Sequence, residues 1–89
     1  VRCEARRGTQ VLHLTPKEFG LLRLLAETPG APVSRETCLD RLWGVAAFPT
    51  TRTVDTHVAA LRAKIEPEPA QPRFLKTVHG LGYKLDLPN

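Results

Sequence analysis

A chain of 89 residues, 42% hydrophobic and 25% charged, makes one small globular domain and excludes a disordered segment. No apolar run approaches the roughly 20 residues of a membrane-spanning helix, and nothing at the start reads as a signal peptide. Lys and Arg number 13 against 9 Asp and Glu, a net charge of +4 that favours polyanions, nucleic acid before an acidic membrane surface.

The chain opens at Val1 without a methionine, so an excised or processed domain with a missing partner domain is expected. Residues 1–14 predict a β-hairpin, VRCEA and QVLHL around Arg6, Arg7, Gly8 and Thr9, the remnant of a larger sheet. A first helix is predicted over residues 15–28. Thr15 suits its N-cap, Pro16 its first position and Glu18 a capping-box carboxylate. Phe19, Leu22, Leu25 and Ala26 form its apolar stripe, widened by Leu21 and Leu24, and Pro29-Gly30 stops it.

After the extended link Ala31 to Val33, Ser34 caps a second helix over residues 34–44. Its buried face is Cys38, Leu39, Leu42 and Trp43, and Gly44 ends it. Residues 45–51, VAAFPTT, form a loop too long for a tight helix-turn-helix corner. Thr50 or Thr51 caps a third helix over residues 52–66, roughly 20 Å long. EPEPAQP, with its three prolines, reads as a stiff connector, and residues 74–87 as a hairpin around His79-Gly80-Leu81-Gly82. Three helices between two hairpins predict an α+β winged helix-turn-helix, one domain over residues 1–89.

In RTVDTHVAALRAKI, residues Val54, Val58, Leu61 and Ile65 share one side of the third helix. Arg52, Thr56, Ala59 and Ala63 lie opposite, flanked by Thr53, His57, Ala60 and Lys64. That side has too little charge for a solvated face and too little bulk for a second core. A major groove about 12 Å wide demands such a slim face, although the alanines also favour helix in themselves. Arg52, Thr53, Thr56 and His57 cluster in the first two turns, where a recognition helix meets base edges. Arg62 and Lys64 come later, placed for phosphates, and Asp55 is expected to pair with Arg62. In the hairpin, Lys76, Thr77, His79 and Lys84 supply donors around a glycine-rich tip, and Tyr83 adds a hydroxyl.

Enzymatic chemistry finds no footing. Asp55 and His57 stand two apart on a helix and point to different sides, and GLG at residues 80–82 lacks the rest of a phosphate-binding fingerprint. Cys3 and Cys38 are too few and too distant for a disulfide framework and are expected as free thiols. His13, His57 and His79 have no ligand-like spacing. Neither metal, cofactor nor catalytic residue is expected.

RTVDTHVAALRAKIEPEP followed by FLKTVHGLGYKL resembles the C-terminal winged-helix DNA-binding domain of OmpR/PhoB-type response regulators. LTPKEFGLL, PVSRE and LDRLWG are similar to the same domain in the same order, so the resemblance covers residues 10–87. It implies a transcription factor's output domain, cytoplasmic, that binds direct-repeat double-stranded DNA as a tandem dimer. The third helix would enter the major groove and the wing would touch the minor groove. It also implies an absent N-terminal receiver domain that takes a phosphoryl group from a sensor kinase. Residues 1–14 would then be the end of a four-stranded sheet.

By position, the resemblance assigns Arg52, Thr53, Thr56 and His57 to the groove and Arg62 to phosphate. It adds Trp43 at the end of the second helix, and Thr77, Gly80 and Tyr83 in the wing. The loop Val45, Ala46, Ala47, Phe48, Pro49, Thr50 and Thr51 would meet RNA polymerase. Two features depart from the family: Ala59 and Ala60 stand where long polar side chains are common, and His79 stands where the wing often has arginine. Base readout must then lean on the start of the helix or on DNA shape. The alternative function is a winged-helix protein-interaction module without specific DNA binding. The same domain fused to other modules is a third.

Overall fold

A computed structural model describes residues 4–7, 10–44 and 50–86. Strands β1 (Glu4–Arg7) and β2 (Gln10–His13) precede helices α1 (Pro16–Ala26), α2 (Arg35–Leu42) and α3 (Thr51–Ile65), and strands β3 (Leu75–Val78) and β4 (Gly82–Leu85) close the chain. Each hairpin is an antiparallel pair, β1 with β2 and β3 with β4. This is the predicted winged helix-turn-helix.

The helices start where their capping chemistry says. Thr15 and Glu18 form a complete capping box at α1, with Pro16 in the first turn. The Ser34 side chain accepts from the Thr37 N–H at α2. Gly44, at φ +77°, follows Trp43 as the left-handed residue past the end of α2. Thr50 is the N-cap of α3, but its side chain makes no cap hydrogen bond.

The core gathers Leu21, Leu24 and Leu25 of α1, Cys38 of α2, and Val54, Val58, Leu61 and Ile65 of α3, with Leu75, Tyr83 and Leu85 of the wing against them. The α3 stripe is the predicted one. The α1 stripe is rotated from the predicted one. Leu21, Leu24 and Leu25 are buried, Phe19 and Leu22 only half-buried, and Ala26 exposed. A short helix that meets α2, α3 and β4 must bury the residues facing that junction, which sequence spacing does not identify.

Three local expectations change. Arg6 and Arg7, expected between the strands with Gly8 and Thr9, lie in β1 opposite Val11 and Gln10; charge does not bar a residue from a short edge strand. The link before α2 is not free chain. Val33 bridges to Tyr83, its N–H donating to the Tyr83 carbonyl at 2.7 Å and its carbonyl accepting from the Tyr83 N–H at 3.0 Å. Gly82 permits this approach, because a Cβ there would collide with the Val33 carbonyl oxygen, and its φ of +137° disfavours any side chain.

Finally, Glu66 belongs to the core and not to a plain connector. It is 3% exposed and its carboxylate accepts the backbone N–H groups of Arg73, Phe74 and Leu75. The proline-rich segment is thus clamped end to end, and the last turn of α3 is fixed to the start of β3. Residues 1–3, Gly8, Thr9, the loop residues 45–49 and residue 87 of the predicted wing lie outside the described residues.

Candidate nucleic-acid interface

With Val54, Val58, Leu61 and Ile65 turned inward, α3 presents Arg52, Thr56, Ala59 and Ala63 as an exposed stripe. Thr53, His57, Ala60 and Lys64 are half-buried along its flank. The first turn of α3 carries no acidic residue, whereas α1 has Glu18 and α2 has Glu36 there. The positive end of the α3 dipole is therefore left without a carboxylate.

Hydrogen bonds within α3 fix what its side chains can offer. The Thr56 hydroxyl donates to the Arg52 carbonyl at 3.0 Å, so outward it presents a methyl group and acceptor lone pairs. His57 Nδ1 lies 2.9 Å from the Thr53 carbonyl. A carbonyl only accepts, so the proton is on Nδ1 and neutral His57 keeps Nε2 as an acceptor. The His57 ring meets Trp43 edge-on, with centroids 4.9 Å apart. Lys17 of α1 stands over the Trp43 ring, 5.3 Å from its centroid, and donates to the Leu42 carbonyl at the end of α2. Trp43 and His57, candidate contacts on different helices, are thus neighbours. Lys17 joins them without a sequence signal, since its partner is 25 residues away.

Arg62 reaches the wing. Its Nε donates to the Leu75 carbonyl at 2.9 Å and a terminal nitrogen donates to the Thr77 hydroxyl at 2.8 Å. The guanidinium stands over the Tyr83 ring, 5.6 Å from its centroid. Arg62, Thr77 and Tyr83 therefore form one group. The expected Asp55–Arg62 pair does not form. Asp55 is held by Arg35, Nε to Oδ1 at 3.0 Å and a terminal nitrogen to Oδ2 at 2.7 Å, and the Tyr83 hydroxyl donates to Oδ1 at 2.7 Å. Two turns of helix separate residues 55 and 62 by about 10 Å, and each finds a nearer partner.

These contacts set the charge states. Burial works against the Asp55 carboxylate, but the Tyr83 hydroxyl, the Arg35 hydrogen bonds and the charges of Arg35 and Arg52 outweigh it and hold the group below its ordinary range. Burial, the hydrogen bond to Asp55 and that residue's charge push Tyr83 up to about 12.

Lys64 is placed elsewhere. Its Nζ lies 2.6 Å from Glu18 Oε1, and Glu18, 4% exposed, also accepts the Thr15 N–H. Burial opposes the Glu18 charge, yet the bonds from Lys64 and Thr15 keep its carboxyl below the ordinary range. Lys64 thus pins the C-terminal turn of α3 to the start of α1 and is not a free cation beside Arg52. In the wing, Lys76 and Lys84 face each other across β3 and β4, with Asp86 bridging at 2.9 and 3.6 Å. The tip is exposed at His79, Gly80 and Leu81. Gly80, at φ +79°, is the third residue of a turn closed by the Leu81 N–H on the Val78 carbonyl. Among the described residues no cluster of His, Cys, Asp and Glu could hold a metal, and no helix is long and apolar enough to cross a membrane.

Residues 8–85 match the family of the transcriptional regulatory protein, C-terminal domain. The chain belongs to this OmpR/PhoB-type family of winged-helix DNA-binding domains. It is similar to the sensory transduction protein RegX3 of Mycobacterium leprae, 50% identical over 75 residues, which are 84% of this chain and 38% of RegX3. The chain thus spans well under half of the curated relatives it matches. The response regulator DrrB, an OmpR/PhoB homologue from Thermotoga maritima, superposes with a TM-score of 0.80 at 39% identity over 86% of this chain and 35% of DrrB. The Klebsiella pneumoniae RstA DNA-binding domain, solved in complex with the RstA box, gives 0.82 at 29% identity over 93% of this chain and 82% of that one. The chain is thus a DNA-binding domain of the kind that serves response-regulator transcription factors as their output, a non-enzymatic family.

Proposed function

We propose that this domain binds double-stranded DNA sequence-specifically, with α3 in the major groove and the β3–β4 wing against the adjoining minor groove. One observation carries this reading. The exposed stripe of α3 is slim, bears Arg52 at its start and is free of carboxylates, while its buried edge continues into the wing through Arg62. Arg52, Thr53, Thr56 and His57 read base edges. Trp43, Arg62 and Thr77 meet phosphates, with Lys17 beside Trp43, and His79 and Gly80 at the tip approach the minor groove. Tyr83 serves from inside the wing, and Lys64 from its pair with Glu18. The RstA domain's complex with its box supports the same mode here.

In the intact regulator, the domain follows a receiver domain addressed by a sensor kinase in the cytoplasm and binds direct repeats as a tandem dimer. The loop at residues 45–51 is the part that would meet RNA polymerase. The name of RegX3, a sensory transduction protein, supports this setting. The test is selection of binders from a random duplex pool at near-physiological salt. A half-site repeated at about 10–10.5 base pairs, one helical turn, is the expected product. Measurable binding without enrichment would refute specific readout by α3. No binding at all would favour a protein-interaction module.

A further inference from the structure

We infer that Asp55 is a positioning residue that sets the angle between the recognition helix and the wing by holding the Tyr83 hydroxyl. This rests on the DNA-binding mode above and adds a role for a carboxylate that simple electrostatics would count as a liability near DNA.

The geometry is a closed ring. Val33 and Tyr83 exchange both backbone hydrogen bonds. The Tyr83 hydroxyl reaches Asp55 on α3. Asp55 takes the fork of Arg35, and Arg35 stands two residues after Val33. The start of α2, the second turn of α3 and strand β4 thus meet at one carboxylate. A second tether lies two turns along α3, where Arg62 bonds the Leu75 carbonyl and the Thr77 hydroxyl of β3. Two tethers about 10 Å apart along the helix fix an angle; one alone leaves a hinge.

The ion pair within this ring adds little stability of its own. The Arg35 and Asp55 side chains are 42% and 36% exposed, and exposed ion pairs contribute little. Its geometry is nonetheless specific, a bidentate guanidinium–carboxylate fork with a third, charge-assisted bond on the same oxygen. Fixed geometry matters where two elements must reach two grooves of one duplex at the same time, because a hinge loses the benefit of linking them.

The test uses the 89-residue chain and a labelled duplex carrying the selected site, with Asp55→Ala, Tyr83→Phe and the double variant. Removing a negative charge should tighten DNA binding on electrostatic grounds. Positioning predicts the reverse, a loss of roughly three- to tenfold for each single variant, with the double variant no worse than Asp55→Ala. Chemical footprints should show the wing's minor-groove protection lost while major-groove guanine protection stays at saturating protein. General destabilisation would weaken both footprints together. Independent, multiplicative losses would place the Tyr83 hydroxyl on the DNA itself and overturn the inference, as would tighter binding by Asp55→Ala. Should Asp55→Ala not fold, Tyr83→Phe with Asp55→Asn carries the same cycle. If the unsubstituted chain binds no duplex, the DNA-binding mode fails first, and the inference with it.

Discussion

Glu66→Ala should be among the most damaging single changes in this domain, although its surroundings look like a linker. The carboxylate accepts from Arg73 at 2.8 Å, Phe74 at 3.1 Å and Leu75 at 2.8 Å. Arg73 is exposed and Phe74 half-buried, so water can replace part of what they lose. Leu75 is fully buried, and its N–H would be left with no partner. An orphaned buried donor costs about 1–3 kcal/mol, and a hydrogen bond to a charged group contributes about 1.5–3 kcal/mol. Together these predict a loss of about 2–4 kcal/mol, a large part of the roughly 5–15 kcal/mol of a typical domain. At about 4–8 °C per kcal/mol for a domain of this size, the melting temperature should fall by roughly 8–32 °C. Glu66→Gln should recover less than half, since its amide NH2 would face backbone donors. Urea unfolding followed by the fluorescence of Trp43, the single tryptophan, measures both variants. Losses below about 1 kcal/mol in each would refute the clamp.

Arg52→Ala should weaken binding to the selected site by about 1–3 kcal/mol and leave random duplex nearly unaffected if Arg52 reads a base; an equal loss on both would assign it to phosphate. Contact with four to six phosphates predicts a slope of about −4 to −5 in log K against log salt, and a flat plot would make the positive charge incidental. Tyr83 is the only tyrosine, so phenolate absorbance reports it alone and should titrate near 12. A raised folded value means stability complete below the ordinary 10.0 and lost as pH climbs through 12; a midpoint at 10 would break the Asp55 contact. Asp55 and Glu18, both depressed, contribute in the opposite direction. Their stabilisation is complete above the ordinary values of 3.8 and 4.5 and drains away as pH falls through the lower folded ones. Asp55→Asn and Glu18→Gln should flatten the acid limb of stability against pH.

Elements and their ends were legible where one residue carries a local instruction. Thr15, Pro16 and Glu18 state an N-terminus, Gly44 a stop, and Val54, Val58, Leu61 and Ile65 a buried face, because each acts within a turn or two of its own chain. What escaped involves partners far along the chain. Asp55 was paired with Arg62 because both lie on one helix face, yet its partners come from α2 and β4, 20 and 28 residues away. Lys64 looked free because Glu18 is 46 residues distant. Glu66 reads as part of a stiff connector because nothing local reveals three backbone donors converging on it. Gly82 reads as a turn glycine, and only the fold shows Val33 pressed against it.

These missed pairs have a common consequence for charge. A net +4 over 89 residues is modest for a domain that must approach a polyanion. Its effect depends on where the carboxylates sit. Glu18 is tied to Lys64 and the α1 cap, Asp55 to Arg35 and Tyr83, Glu66 to three backbone N–H groups, and Asp86 to Lys76 and Lys84. Among the described residues Glu66 forms no ion pair, and its carboxylate faces backbone N–H groups inside the fold. Glu18 and Asp86 take up lysines outside the exposed α3 stripe. Of these four, Asp55 lies beside that stripe, where the fork of Arg35 compensates it, and Glu36 lines the groove between Asp55 and the wing tip. The cations that form no ion pair with a carboxylate among the described residues include Arg52, Arg62 and Lys17, which border the α3 stripe and its Trp43 end. The carboxylate contacts that hold the fold thereby leave a modest total charge weighted toward the exposed α3 stripe and its Trp43 end.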